Sequence, residues 1–243
     1  MRKSRLGRAI AVVAAGLVVV GCTGLPTSGP VNVGLALDDE LSEFDPNLEA
    51  SGPAPGASPE EIVVGFLEAG VTPTESWSTA RQFLTPEFAS EWHPDTGVTI
   101  DASLSSRQFT AEEPSTEEVG SAADVSVTLD QVAGLDEAGA YTRAPGTAKS
   151  AFRLVLGEDE QWRIDDAPDG IVLDQESFAQ VYDQHVLQYF DSTWSRLVPD
   201  ARWFPRLGSM ATSITRAVIG GDPSGWLAPA VRTAFSGDVE LAR

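Results

Sequence analysis

Ser150-Ala151-Phe152-Arg153-Leu154-Val155-Leu156-Gly157-Glu158-Asp159-Glu160-Gln161-Trp162-Arg163-Ile164 is the stretch whose reading decides the fold. Phe152, Leu154 and Leu156 alternate, and Trp162 and Ile164 resume the pattern after the polar run Gly157-Glu158-Asp159-Glu160. Period-two apolar residues on both sides of a polar turn specify a hairpin with one buried face. Upstream, residues 123–132 alternate as well. Val125, Val127 and Leu129 point one way, Ser126, Thr128 and Asp130 the other. Val98-Thr99-Ile100 is a shorter strand, Leu135-Asp136-Glu137-Ala138-Gly139 reads as a loop, and residues 140–144 continue the sheet.

The pattern changes toward the N-terminus. Ser58-Pro59-Glu60-Glu61 combines a serine N-cap, a proline at the first helical position and acids in the first turn. Ile62, Val63, Phe66 and Leu67 then share a face, and Gly70 ends the helix. A second helix is expected over 75–84, with Trp77, Ala80, Arg81 and Leu84 at three-to-four spacing. Thr85-Pro86-Glu87 opens a third, carrying Phe88 and Trp92 and stopped at His93-Pro94. Helices first and a meandering antiparallel sheet after them make an α+β domain over 58–183, the helices covering one face of the sheet. This order resembles the cone-shaped NTF2-like fold. The aromatics Phe66, Trp77, Phe83, Phe109, Phe152 and Trp162 read as its core.

A second unit occupies 184–243. His185-Val186-Leu187-Gln188-Tyr189-Phe190-Asp191 is a strand, residues 196–206 supply another, and residues 210–219 form a helix with Ile214, Ala217 and Val218 on its apolar face. Residues 223–235 begin a further helical or turn element. With no strands following, the helix at 210–219 is expected to expose that face. Trp194, Trp203, Phe204 and Trp226 stand among Arg196, Arg202, Arg206 and Arg216. Aromatics with arginine are the composition of interfaces, so Trp203, Phe204, Arg206 and Trp226 are candidate partner-binding residues. The alternative is packing within the unit.

The N-terminus carries a processing signal. Arg2, Lys3, Arg5 and Arg8 precede the uncharged run at 9–20. Twelve helical residues span only about 18 Å, against a hydrocarbon core of roughly 30 Å, so residues 1–21 read as a signal peptide rather than a membrane span. The run ends in Val19-Val20-Gly21-Cys22, which resembles a bacterial lipobox. Cys22 would then carry S-diacylglycerol and an N-palmitoyl chain. Acyl chains contribute about 0.8 kcal/mol per buried methylene, and two or three hold a protein on a bilayer. Residues 22–57 follow as an acidic, proline-rich tether with little apolar periodicity.

Charge and cysteine content exclude whole classes. The formal net charge is −20, and loss of residues 1–21 leaves 12 basic against 36 acidic side chains. Residues 22–195 hold 6 basic and 32 acidic groups, whereas 196–243 hold 6 and 4. Such a chain lacks the clustered cations that phosphate backbones require, so no nucleic-acid partner is expected. One cysteine forms neither an internal disulfide nor a CxxC site. No nucleophile elbow, P-loop, dinucleotide fingerprint or HExxH motif occurs. His93 and His185 read as structural, and Asp165-Asp166-Ala167-Pro168-Asp169-Gly170 as a turn rather than a calcium loop. The expectation is a protein without catalytic residues, metal or cofactor.

Three segments carry a specific resemblance. They are Cys22-Thr23-Gly24-Leu25-Pro26-Thr27-Ser28-Gly29-Pro30-Val31, Leu197-Val198-Pro199-Asp200-Ala201-Arg202-Trp203-Phe204-Pro205-Arg206, and Gly225-Trp226-Leu227-Ala228-Pro229-Ala230-Val231-Arg232-Thr233-Ala234-Phe235. Together they make the chain similar to the N-terminal half of the actinobacterial LpqB lipoproteins. The resemblance implies an N-terminal domain, then a GerMN-like α/β unit, then a β-propeller. It also implies an extracytoplasmic lipoprotein that engages the sensor domain of the MtrB histidine kinase and modulates the MtrA–MtrB system and the cell envelope. On this reading residues 184–243 are a partial GerMN-like unit, and the chain, lacking propeller repeats, is a fragment or the product of a truncated gene, or else its last unit is stabilised by something outside the chain. A pocket in the NTF2-like cone, holding a small molecule, lipid or cell-wall fragment, is the alternative function.

Overall fold

The computed structural model describes residues 51–73, 76–112, 118–206, 210–220, 223 and 225–235. The expected signal peptide, Cys22 and most of the tether lie outside the described residues. The fold is α+β, built on a six-stranded and a three-stranded sheet.

Helix α1 (Pro59–Ala69) starts where its signals predict. The Ser58 hydroxyl accepts from Glu61 N–H at 3.3 Å, and Glu61 accepts from Ser58 N–H at 2.8 Å. That reciprocal box satisfies two otherwise orphaned donors. The backbone donor at Ser58 holds the Glu61 carboxyl below the usual carboxylate range, helped by the Ser58 hydroxyl. Ile62, Val63, Phe66 and Leu67 are buried. Gly65 lets Phe83 lie against the helix, since a Cβ there would stand 2.6 Å from the Phe83 ring. The last residues assigned to the tether already rest on this body: Ala57 packs against the core and Gly56 N–H donates to Gln161 Oε1.

The helix expected over 75–84 shrinks to the single turn α2 (Ser78–Arg81). Ser76 and Trp77 lie at φ 56° and 59°, outside any right-handed helix. The Trp77 indole instead donates to Gly70 O at the end of α1. Tertiary packing overrides the three-to-four spacing. α3 (Pro86–Glu91) follows, capped by Thr85, whose hydroxyl accepts from Phe88 N–H. Arg81 reaches across to donate to Ala89 O and Trp92 O, answering carbonyls that a helix end leaves unpaired.

The first sheet comprises β1 (Gly97–Asp101), β2 (Gln108–Glu112), β3 (Ala122–Asp136), β4 (Tyr141–Leu156), β5 (Trp162–Asp166) and β6 (Ile171–Asp174), in the order β5-β4-β3-β1-β6 with β2 on β3. The segment expected as a loop at 135–139 is mostly strand. β3 runs to Asp136, and only the tip reverses the chain before β4. Asp136 Oδ1 accepts from Ala138 N–H and Ala140 N–H, and Gly139 turns at φ 78°. The sheet is not wholly antiparallel, because β6 returns parallel to β1, pairing Val98 with Ile171 and Ile100 with Leu173. The core is the face carrying Val125, Val127, Leu129, Phe152, Leu154 and Ile164, under α1.

Helix α4 (Gln175–Val181) leads directly into β7 (Tyr182–Asp191), which pairs with β8 (Leu197–Pro205) and with the two-residue β9 (Val231–Arg232). Helix α5 (Met210–Gly220) covers one face of this small sheet. The expected exposed apolar face on that helix is corrected here. Met210, Ile214, Ala217 and Val218 pack on Leu187, Tyr189, Phe204, Leu227 and Val231. The residues after the helix, which include β9, help build the surface that covers it.

Candidate interaction surface at the junction of the two sheets

β8 is an edge strand of its sheet, and the β3–β4 tip docks on that edge. Trp203 N–H donates to Gly139 O at 2.9 Å. Arg202 Nη1 donates to Ala138 O at 2.9 Å, while its Nε and Nη2 reach Asp200 Oδ2 at 2.9 and 2.8 Å. Both charged side chains are buried, Arg202 at 1% and Asp200 at 4% exposure. A desolvated pair is tolerable only when its remaining donors are answered, and Ala138 O answers one. The Trp203 ring lies 5.1 Å from Phe178 on α4 and 6.3 Å from Tyr141 on β4. Arg206 closes the far side: its N–H donates to Val181 O, and its guanidinium meets Ala179 O and Asp183.

The sequence candidates therefore separate. Phe204 is core, 3% exposed beneath α5. Trp203 and Arg206 join the two sheets. Trp226 stands free of the core at 78% exposure. Cys22 lies outside the described residues. Sequence reading missed the exposed apolar residues Val186 and Leu197, 55% and 56% exposed. The available signal was that β7 carries apolar residues at both parities, with Leu187 and Tyr189 facing in and Val186 and Phe190 facing out.

A buried charge cluster sits where β1 and β6 end, at Asp101 and Asp174. Arg107 Nε and Nη2 donate to the two carboxylate oxygens of Asp101 at 2.8 and 3.1 Å, with Asp101 wholly buried. Asp174, beside Asp101 in the parallel register, caps α4 through Glu176 N–H, Ser177 N–H and the Ser177 hydroxyl. Burial would raise its pKa. The Ser177 donors, Glu176 N–H and nearby Arg107 outweigh that and hold it below the usual range. Both carboxylates are fully engaged in structure, and this arrangement offers no acid or base to a substrate.

The partly open cavity between α1 and the sheet, lined by Phe66, Trp92, Phe152 and Ile171, measures about 40 Å³. Ligand pockets run from roughly 300 Å³ upward, so this space is water-sized. Trp92 Nε1, buried without a protein partner, borders the same region of the core. A larger open groove of about 560 Å³ runs between residues 51–57 and α1, flanked by Glu61 and Glu68. Among the described residues no group of three or more His, Cys, Asp or Glu is placed to hold a metal. None of their helices is long and apolar enough to cross a membrane.

Residues 52–179, more than half of the chain, match the family described as "Lipoprotein LpqB, N-terminal domain". The chain belongs to the LpqB lipoprotein family. Lipoprotein LpqB of Thermobifida fusca is 32% identical over 96% of this chain and 38% of its own length. Those of Nocardia farcinica and Streptomyces coelicolor are each 30% identical over 99% of this chain, covering 39% and 41% of the relatives. The chain thus spans about two fifths of these LpqB proteins. The family match ends at residue 179, just before β7 begins, while the matches to whole LpqB proteins continue through the second sheet. No solved structure matches the chain.

Proposed function

We propose that this LpqB-family chain is a non-catalytic accessory held on the extracytoplasmic face of the cell membrane by acyl chains on Cys22. There it docks on the extracytoplasmic sensor domain of the MtrB kinase and tunes MtrA–MtrB signalling and envelope homeostasis. Membership of the lipoprotein family is the observation that carries this reading. The lipobox at Gly21-Cys22 supplies the attachment chemistry. The junction supports a docking role, because hydrogen bonds and aromatic contacts make the two sheets one platform rather than beads on a string. A platform with fixed geometry binds with a smaller ordering cost.

The test is a titration of the purified MtrB sensor domain against the full chain in lipid nanodiscs. Saturable binding is expected, and loss of it on Trp226→Ala would place the contact on the second unit. No binding at micromolar concentrations would overturn the kinase reading while leaving the anchor intact.

A further inference from the structure

The two faces of the second sheet differ. One packs under α5. The other leaves an apolar strip, and cross-strand pairing places its members together: Phe190 lies opposite Leu197 on β8 and opposite Arg232 on β9, with Val186 four residues back on the same face. The β7–β8 loop adds Trp194, 56% exposed, its ring 5.2 Å from Phe190. Exposed Arg196 stands beside it.

The loop is built to hold that tryptophan outward. Asp191 accepts from Ser195 N–H, Arg196 N–H and the Thr193 and Ser195 hydroxyls, and these donors hold its carboxyl below the usual range. Trp194 itself is fixed at φ 59°, a conformation costly for any residue but glycine. A strained backbone presenting an exposed indole is a reason to look for its contact.

We infer that this strip, Val186, Phe190, Trp194 and Leu197 with Arg196 and Arg232, is a bilayer-contact face that seats the protein on anionic lipid. The inference rests on the membrane-anchored reading above. Three observations select lipid as the occupant. Indole with aliphatic side chains is the composition that settles at the water–hydrocarbon boundary, and arginine reaches from there to headgroup phosphates. The strand residues on this face include no carboxylate among the described residues, in a chain whose residues 22–195 carry 32 acidic groups against 6 basic. An anionic surface therefore repels the first domain and favours this end. A body tethered at Cys22 also meets the bilayer at an effective concentration in the millimolar range, so weak contacts suffice.

The experiment reconstitutes the full chain into vesicles of brominated phosphatidylcholine with or without phosphatidylglycerol and reads tryptophan quenching. Quenching is read on protein that floats with the vesicles, so it reports on the strip rather than on how the body is held there. Flotation of Cys22→Ala reports on the anchor separately. Anionic vesicles should quench the wild type, with the quenched component absent in Trp194→Phe and retained in Trp226→Phe. Arg196→Gln and Arg232→Gln should each reduce the docked population about fivefold, the effect of removing one surface-bound arginine. Leu197→Asp should abolish docking, with an unchanged circular dichroism spectrum showing that the fold is kept. Equal quenching of wild type and Trp194→Phe would overturn the inference. So would Trp194 emission that ignores lipid but shifts on adding the MtrB sensor domain, or with rising protein concentration.

Discussion

Gly139 lies directly against the backbone of Trp203: its carbonyl accepts Trp203 N–H at 2.9 Å, and a Cβ at residue 139 would stand 2.5 Å from Trp203 O. At φ 78° only glycine sits there without strain. The tip of the long β3–β4 hairpin is thereby locked to the edge of a second sheet.

Gly139→Ala should separate the two sheets. Left-handed backbone costs an alanine roughly 1–2 kcal/mol before the backbone clash is counted. We expect a loss above about 2 kcal/mol in urea unfolding, and proteolytic cleavage near residues 182–206 under native conditions. Intact resistance to protease would mean the junction is not held at this point.

The Asp101–Arg107 pair should dominate local stability. Removing one partner of a buried pair leaves an uncompensated charge, so Asp101→Ala should cost about 3–5 kcal/mol. Replacing both, with Asp101→Leu and Arg107→Met, should recover most of that loss. The exposed Asp159–Arg163 pair provides the contrast: Asp159→Ala should leave the unfolding midpoint unmoved.

The acid limb of stability should carry the signature of Asp174. Its folded pKa is depressed, so the unfolded chain takes up the proton first, near pH 4. Its contribution is complete above that pH and is lost as pH falls through the lower folded value. Asp174→Asn, which keeps capping ability, should be less stable than wild type at pH 7 yet lose less between pH 4 and 2.5. Tyr182 acts at the other extreme. Burial, with Asp95 nearby, pushes its hydroxyl far up, so it should ionise only as the protein unfolds in alkali. Ultraviolet difference titration would check this, with Tyr182→Phe as the reference.

The small cavity beneath α1 should stay free of organic ligand. At about 40 Å³ it suits water rather than a lipid or glycan. Native mass spectrometry of detergent-released protein should show the acylated chain without additional bound mass. A retained lipid or muropeptide would revive the ligand-carrier alternative and direct attention to the groove beside α1.

What could be read from the sequence depended on whether the deciding contacts were local. The capping box at Ser58 and Glu61 spans three residues, and the 150–164 hairpin turns within a few, so both were legible. The helix expected over 75–84 failed because Trp77 leaves the helix to reach Gly70 O, a contact its spacing cannot announce. The extension of β3 to Asp136 depends on pairing with β1 and β4, which overrides the turn-like composition of 135–139. The parallel return of β6 rests on Val98 meeting Ile171 across more than seventy positions. Of the candidate surface, arginine and tryptophan enrichment drew attention to the segment in which Trp203 and Arg206 make the contacts between the two sheets. It could not separate Phe204 in the core from Trp226 at the surface, since that difference is set by packing beneath α5 and not by the neighbouring residues.

The central claim, an anchored accessory of a sensor kinase, is tested most directly by MtrB autophosphorylation in proteoliposomes. Co-reconstituted wild-type chain should change the rate reproducibly, and Cys22→Ala, released from the vesicle, should not at equal protein concentration. An unchanged rate with the anchored wild-type chain would contradict the account.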